Sequence, residues 1–309
     1  MVPALESGMA ALLDRAEVRE IYDDGARVTG LSVARDGEMV ELTAGAYALT
    51  AGSLGSARLL LASQGRHPEG CANSSGWVGR GLMFHLNEIF VLWPRGKQTE
   101  AVFGKSISLR DLYSRDGQRF GLVQSLGMDA NYGNISGFLG QIYDQSPLAR
   151  FRRLRILTRP AALVMSRLFG RAAVFVGIME DFPYPENRVV LNEDDPEVLT
   201  FEYSYHPELL TRRRAFRKAM KQAFRKHRRL MASLHPILNY GHPVGTLRFG
   251  VDPETSVLRP DCRTHDLANL YVADGSFMPS ALGVNPSLMI AANALRVGDI
   301  MADAKEAEG

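Results

Sequence analysis

Near the N-terminus, apolar and polar positions alternate in three short runs: Val18 to Tyr22, Val28 to Ala34 and Glu38 to Thr43. Asp24-Gly25 and Asp36-Gly37 separate them. Asp-Gly favours the tight turns whose twist matches that of paired strands, so the pattern predicts a small antiparallel β meander. Ahead of it, Leu5, Met9, Leu12 and Leu13 recur at helical spacing and predict a short helix over residues 4–15. Behind it, Ala46 to Thr50 is an apolar run of the kind a buried strand shows. That run ends in Ala51-Gly52-Ser53-Leu54-Gly55-Ser56, and Ala57 to Ala62 reads as helix. Strand, glycine-rich turn and helix is the layout of a nucleotide-binding crossover. Gly52-x-x-Gly55 lacks the spacing of G-x-G-x-x-G, so the layout alone does not establish one.

From about Gly70 to Tyr240 the character changes. Short β-like runs (Glu88 to Leu92, Val174 to Ile178, Arg188 to Leu191, Thr200 to Tyr205) alternate with turns and two basic helical stretches. This reads as an α+β unit inserted in an α/β one. The first basic stretch, Leu148 to Arg171, holds seven arginines, and the second, Arg212 to Arg229, has ten Lys or Arg in eighteen residues. In the second, Phe216, Met220 and Phe224 recur every four residues, so one face is apolar and the rest solvated. Such a helix covers a core, or it docks on a membrane surface or partner. Nucleic acid is the poorest fit, because the aromatic residues fall on the apolar face and make no stacking platform.

Composition narrows the class. The 309 residues suffice for about two domains. Hydrophobic residues at 46% and charged residues at 23% are ordinary globular values, which excludes disorder and coiled coil for the whole chain. A net charge of +2 gives no case for a polyanionic partner. Cys71 and Cys262 are too few for a disulfide framework or a four-thiolate metal site. The opening residues lack the basic and apolar regions of a signal peptide. The most apolar long window, Ala161 to Met179, contains Arg167 and Arg171, each costing about 2.5–3.5 kcal/mol in a bilayer, which argues against a span. A cytoplasmic protein, in membrane contact at most through its basic helices, is expected.

After Tyr240 the α/β character returns. Asn269 to Ala273 reads as a strand ended by Asp274-Gly275, and Asn285-Pro286-Ser287 opens a helix to about Ala302, with Asn as cap and Pro at the first helical position. Ala291, Ala292 and Ala294 make this helix thin; the tail from Asp303 reads as frayed. His242, between Gly241 and Pro243, is an unpromising mid-strand or mid-helix residue and a candidate base, although a loop histidine capping a turn has the same surroundings. Asp274 falls at the carboxyl end of a strand, where α/β sheets bind ligands. The helix terminus after Asn285 would favour an anion, and an ordinary capped helix would look no different.

Together these pieces resemble the C-terminal signature of the glucose–methanol–choline (GMC) family of flavin oxidoreductases. The matching segments are HPVGT from His242, RFGVDPETSVLRP from Arg248, HDLANLYVADGSFMP from His265 and GVNPSLMIAANALR from Gly283. Ala48 to Ser63 resembles a second family signature, Gly79 to His85 its Gly-Arg-x-Leu-x-x-His segment, and Glu180-Asp181 with Asn187-Arg188-Val189 its substrate-domain strands.

The resemblance implies a substrate domain over 71–240 inserted in part of a Rossmann-like FAD-binding domain over 1–70 and 241–309. It implies that His242 takes an alcohol proton as hydride moves to flavin N5, and that Asn285 binds the substrate oxygen. It places FAD contacts at Val18, Ala51, Gly52, Asp274, Gly275, Asn285 and Pro286. The electron acceptor beyond FAD is not implied. The family's N-terminal G-x-G-x-x-G is absent; Gly79-Arg80-Gly81 is the nearest match and fails at the third glycine. The expectation is a truncated or split enzyme, with the fingerprint on a partner chain in the split case. Such a chain would hold FAD weakly alone and, with sheet edges uncovered, would self-associate. A non-catalytic remnant or subunit that binds a partner, and a peripheral membrane-binding module, stand as alternatives.

Overall fold

The computed structural model describes residues 2–93, 107–115, 117–129, 131–169 and 172–308, and for 128, 129 and 306–308 the backbone alone. The chain opens with a five-residue helix α1 (Val2–Glu6). The helix expected over 4–15 stops there: Gly8 takes φ +73°, and Met9 and Leu12 find no surface to pack on, remaining 89% and 66% exposed. The predicted meander forms as β1 (Ala16–Asp23), β2 (Val28–Arg35) and β3 (Glu38–Leu42), all antiparallel. Next come β4 (Tyr47–Leu49) and α2 (Gly52–Ala62).

The central element is β5 (Met83–Trp93). After it come β6 (Ser108–Leu109), the hairpin β7 (Ser114–Arg115) and β8 (Gln118–Arg119), and β9 (Gly121–Asp129). Helices α3 (Tyr132–Asp144) and α4 (Thr158–Phe169) follow, with two short 3-10 segments between them. Arg171, the last residue of the first basic stretch, lies outside the described residues. The strands β10 (Ala173–Met179), β11 (Arg188–Leu191) and β12 (Leu199–Glu202) precede α5 (Pro207–Ala223). The second basic stretch is therefore helical only to Ala223; Arg228 and Arg229 belong to β13 (Arg228–Met231), where they pair with β5. Then β14 (Ile237–Val244), β15 (Leu270–Val272) and α6 (Ser287–Glu308) complete the chain. Helix α6 runs six residues past the expected end at Ala302, with no fray at Asp303.

A six-stranded antiparallel sheet in the order β13-β5-β10-β9-β6, with β14 beside the start of β5, forms one half of the mixed α/β fold. In the other half β15 pairs parallel with β4, Leu270 opposite Tyr47. Two apolar cores correspond. One joins Ile21, Tyr47, Leu60, Val244, Leu270 and Val297. The second lies between the back of the large sheet and α5, through Phe90, Phe175, Phe216 and Met220. Full burial of a side chain such as Phe216 contributes about 1.5–3 kcal/mol.

Helix α5 shows why the second stretch is basic. Phe216 and Met220 face the sheet, and Arg213 and Arg217 reach past them to Glu88, which is fully buried on β5. Burial pushes the Glu88 carboxyl up, and the two arginines oppose that shift. Arg212 is also buried, bonded to Glu208 and to the Glu180 carbonyl. Three of the basic residues are thus inward-facing structural contacts. The helix lies so close to β10 that a Cβ on Gly177 would meet the Phe216 ring at 2.8 Å and the Met220 sulfur at 3.0 Å. Gly177→Ala is expected to lower stability by about 1–3 kcal/mol through overpacking. A parent-like denaturant midpoint would contradict this packing.

Candidate active site

Gly241 and Pro243 shape the strand that carries His242. Contrary to the sequence expectation, His242 lies within β14, but in its irregular part. Asn239 pairs with His85 and the next pair is Val244 with Met83, so the residues between are bulged out of the ladder. Bulges re-aim side chains. Here the outcome is that His242 Nδ1 lies 3.0 Å from His85 Nδ1, with the rings edge to face.

The protons on this pair follow from His85. It is fully buried, and its Nε2 is 2.7 Å from the Ala281 carbonyl, which can only accept. Burial depresses the His85 pKa to about 4, so the ring is neutral and its single proton is on Nε2. His85 Nδ1 is therefore an acceptor, and His242 must donate to it from Nδ1. His242 is then the tautomer whose basic nitrogen is Nε2. The Asn239 amide nitrogen also lies 3.0 Å from His242 Nδ1, with the amide oxygen 3.1 Å from Gly241 N–H. In that orientation Asn239 would donate to Nδ1, and the two requirements conflict. The Ala281 bond decides, because it is shorter and wholly buried; turning the Asn239 amide by half a turn gives His242 Nδ1–H a second acceptor and loses only the exposed bond from Gly241 N–H.

A loop from Met278 to Pro286 crosses the end of the large sheet. Ala281 N–H donates to the Asp181 carbonyl at 3.3 Å and Leu122 N–H to the Gly283 carbonyl at 2.9 Å; Tyr113 O–H donates to the Leu282 carbonyl at 2.6 Å. Leu282 and Gly283 both take left-handed backbone, φ +67° and +56°. For a leucine this is uncommon and is held by its surroundings. A Cβ on Gly283 would lie 2.7 Å from Gly121 Cα, so only glycine fits. The loop delivers Asn285 to the sheet, where its amide donates to Gln124 Oε1 at 3.2 Å. Asn285 thus points at the sheet and α6 begins at Ser287, one residue later than the expected Pro286 start.

The second cluster lies alongside. Gly245 and Leu247 N–H donate to the Gly275 and Ser276 carbonyls at 3.1 and 2.9 Å, so the segment after His242 is laced to Asp274-Gly275-Ser276. The Asp274 carboxylate accepts from Gly52 N–H at 3.0 Å, from Ser276 N–H at 2.8 Å and from the Ser56 and Ser276 hydroxyls. It is 6% exposed and fully occupied within the protein, so a cofactor contact here falls to the backbone. Ser53, one residue into α2, has a buried hydroxyl with no partner among the described residues. A Cβ on Gly275 would meet that hydroxyl at 3.0 Å. Ala51 supplies no side-chain cap to α2. Gly52 N–H is taken by Asp274, but the rest of this first helical turn, with an unpartnered hydroxyl and a close-approach glycine beside it, fits the phosphate-bearing part of FAD. Among the described residues no cluster fits a metal ion.

The structure therefore brings Ala51, Gly52, Asp274 and Gly275 together, and sets His242 against His85 and Asn285 against Gln124. Pro286 is buried at the start of α6, its carbonyl accepting from Ile290 N–H. Val18 packs against the first core from β1, where a bulge puts Arg19 out of the ladder beside it. In the sequence, His85 and Asp181 stand out only as parts of family segments, and Gln124 does not stand out at all. A polar residue on an otherwise apolar strand, as in Met83-Phe84-His85-Leu86, is the signal that could have found them.

Comparisons with known proteins give the family. Residues 183–294 match the family model described as GMC oxidoreductase. The chain is 28% identical over 310 residues to 2-methyl-1,2-propanediol dehydrogenase of Mycolicibacterium austroafricanum, covering 94% of this chain and 54% of that protein. It is 30% identical over 279 residues to 6'''-hydroxyparomomycin C oxidase of Streptomyces lividus, covering 86% and 46%. It spans about half the length of these curated relatives. Its fold is similar to that of an FAD-dependent oxidoreductase from Chaetomium thermophilum, TM-score 0.61 at 14% identity, covering 99% of this chain and 64% of that one.

Two buried groups at the site titrate with opposite effect. His85 stays neutral to about pH 4, below its ordinary 6.5, so the stability it contributes above 6.5 is lost as pH falls towards 4. Burial raises the Asp181 carboxyl to about 6 from 3.8, against hydrogen bonds from Tyr203 and the Phe84 and Phe182 N–H groups. Its contribution is full below 3.8 and lost as pH rises through 6. Each effect is on the order of 3 kcal/mol, so the two nearly cancel between pH 4 and 6. Asp181→Asn keeps one acceptor oxygen and removes one titration. Its melting temperature is expected to fall more steeply than the parent's from pH 6 to 4; parallel profiles would contradict the assignment.

Proposed function

The chain belongs to the GMC oxidoreductases, by the family model matched over residues 183–294 and a relative 30% identical over 86% of the chain, and on that premise we propose that the protein oxidises a CH–OH group of an alcohol, with FAD as electron acceptor and His242 as base. The observation that carries this is the His242–His85–Ala281 chain, which makes Nε2 the basic nitrogen of His242. Bound FAD supplies a two-electron acceptor for the hydride of the substrate carbon. Backbone at Asp274-Gly275, with Ala51, Gly52, Pro286 and the Ser53 hydroxyl, would hold it, in a Rossmann-like unit over 1–70 and 241–309. Val18 is assigned to its adenine end. The unit over 71–240 would hold the alcohol.

His242 Nε2 takes the hydroxyl proton, which makes the carbon a better hydride donor. The imidazolium so formed keeps its Nδ1–H on neutral His85, and that bond strengthens once the donor is charged. His85 is a positioning residue: it fixes the tautomer and receives no proton. The Asn285 amide, held by Gln124, donates to the substrate oxygen.

In the holoenzyme, His242→Ala is expected to slow alcohol-dependent flavin reduction by about 10²–10⁴-fold. A loss below tenfold, or no reduction by any alcohol in the parent, would favour a non-catalytic remnant. His85→Leu removes the acceptor, so it should lower the plateau rate about tenfold and move the acid limb of kcat/KM to lower pH. His85→Gln offers one donor and one acceptor and should restore both. A leucine variant with an unmoved limb would reduce His85 to a packing role.

A second surface concerns membrane contact, and here the first basic stretch differs from the second. Its apolar residues face outward: Ile156, Leu157, Val164 and Leu168 are each about 60% exposed. Arg152, Arg153, Arg159 and Arg167 lie among them. No described helix is long and apolar enough to cross a membrane. We infer that this wall docks on an anionic phospholipid surface, because exposed apolar side chains interspersed along the chain with exposed arginines complement it in both charge and polarity. The chain is expected to sediment with phosphatidylserine vesicles at low salt and poorly with phosphatidylcholine ones. Leu157→Asp with Leu168→Asp should weaken binding at least tenfold. Equal binding to both lipids, or self-association abolished by the same pair of substitutions, would overturn the inference.

A further inference from the structure

The front of the large sheet carries more than the histidine pair. Along β5, His85, Asn87, Ile89 and Val91 alternate onto one face. The register sets Ile89 opposite Val176 and Val176 opposite Gln124, so Gln124 shares that face. Along β5 the polar groups lie at one end, His85 with His242 and then Asn87, whose Oδ1 is buried with no partner among the described residues, while Gln124 with Asn285 lies two strands away, level with Ile89. Beyond Asn87 this face of β5 turns apolar. Ile89 is about 13 Å along the strand from His85, at roughly 3.3 Å per residue.

Over that apolar end, α3, α4 and residues 230–234 border a half-open cavity of about 580 Å³. Its floor includes Ile89 and Val174, and its roof Phe138, Ile142 and Met165. Of the eighteen residues lining it, Asn134 and Gln141 alone are polar other than glycine, and none is charged. The volume suits a small molecule, within the range of about 300–1,000 Å³ usual for ligand sites. The lining does not suit a polyol: each hydroxyl buried there without a partner would be penalised.

We propose that the substrate is an alcohol with one hydroxyl at the His242–Asn285 end and an elongated apolar body lying in the α3–α4 cavity. This rests on the function proposed above and names its substrate class.

The test is equilibrium binding, read on the chain without turnover. Primary alkanols from butanol to tetradecanol are titrated against a displaceable fluorescent apolar probe. Once the chain reaches Ile89, affinity should rise about fourfold per added methylene. A polyol of equal length should displace no probe. Gly137→Phe supplies the control. Gly137 lines the cavity on α3, a Cβ there meets nothing within 4 Å, and its backbone is not left-handed, so the larger side chain enters open space and favours the helix. It should weaken tetradecanol at least tenfold and leave butanol unchanged. A flat series, equal binding of the polyol, or an unchanged slope in Gly137→Phe would overturn the proposal. Failure of the oxidation function reads differently: the slope would remain and Gly137→Phe would remove it, while no alcohol would reduce flavin.

Discussion

The site depends on one constraint: the backbone of residues 281–285 is latched to the edge of a sheet formed by a distant part of the chain. Its Ala281 carbonyl holds the His85 ring, its Gly283 carbonyl receives Leu122 N–H, and its Leu282 carbonyl receives the Tyr113 hydroxyl. Leu282 remains left-handed because these bonds hold both of its neighbours. A loose loop would leave His85 free to choose its tautomer, and His242 would then have no defined basic nitrogen. The same latch sets Asn285 over Gln124. A few backbone hydrogen bonds, each worth about 1 kcal/mol, thus fix two side chains from different halves of the fold.

The two faces of the large sheet divide the work. The back is closed by α5, whose aromatic face fills the core and whose arginines neutralise Glu88. A carboxylate fully buried on a strand would be costly without them. That closure leaves the front open for chemistry at one end and for an apolar cavity at the other. The basic stretches around α5 and α4 look alike in sequence, yet Arg213 and Arg217 of α5 reach inward to a buried charge, whereas the arginines around α4 are interspersed with exposed apolar side chains.

Much of the fold is legible in the sequence. Alternation and Asp-Gly turns predict the meander, and β4 and β15 stand where their apolar runs and turn residues put them, whereas α2 starts at Gly52, inside the segment expected to be a turn and five residues before Ala57. These features are local, with both partners of each turn or repeat close in the chain. The helix expected over 4–15 fails for the complementary reason: its apolar residues have the right spacing but no surface to cover. Helix α6 outruns its expected end because a polar tail with good helix formers needs no core to continue. Gly241 and Pro243 argue against a strand at His242, and both do break pairing; the strand persists around them as a bulge.

By itself, the sequence determined the family, the candidate base and the residues gathered around Asp274, because those are carried by short motifs whose chemistry depends on residue type and spacing. What it left open was decided by contacts between residues more than a hundred apart. His85 meets His242, Gln124 meets Asn285 and Glu88 meets two arginines of α5 only when the sheet is assembled. The tautomer of His242 is the clearest case. It is set by a buried ring and a carbonyl that accepts but cannot donate, and no pattern along the chain encodes which carbonyl that will be.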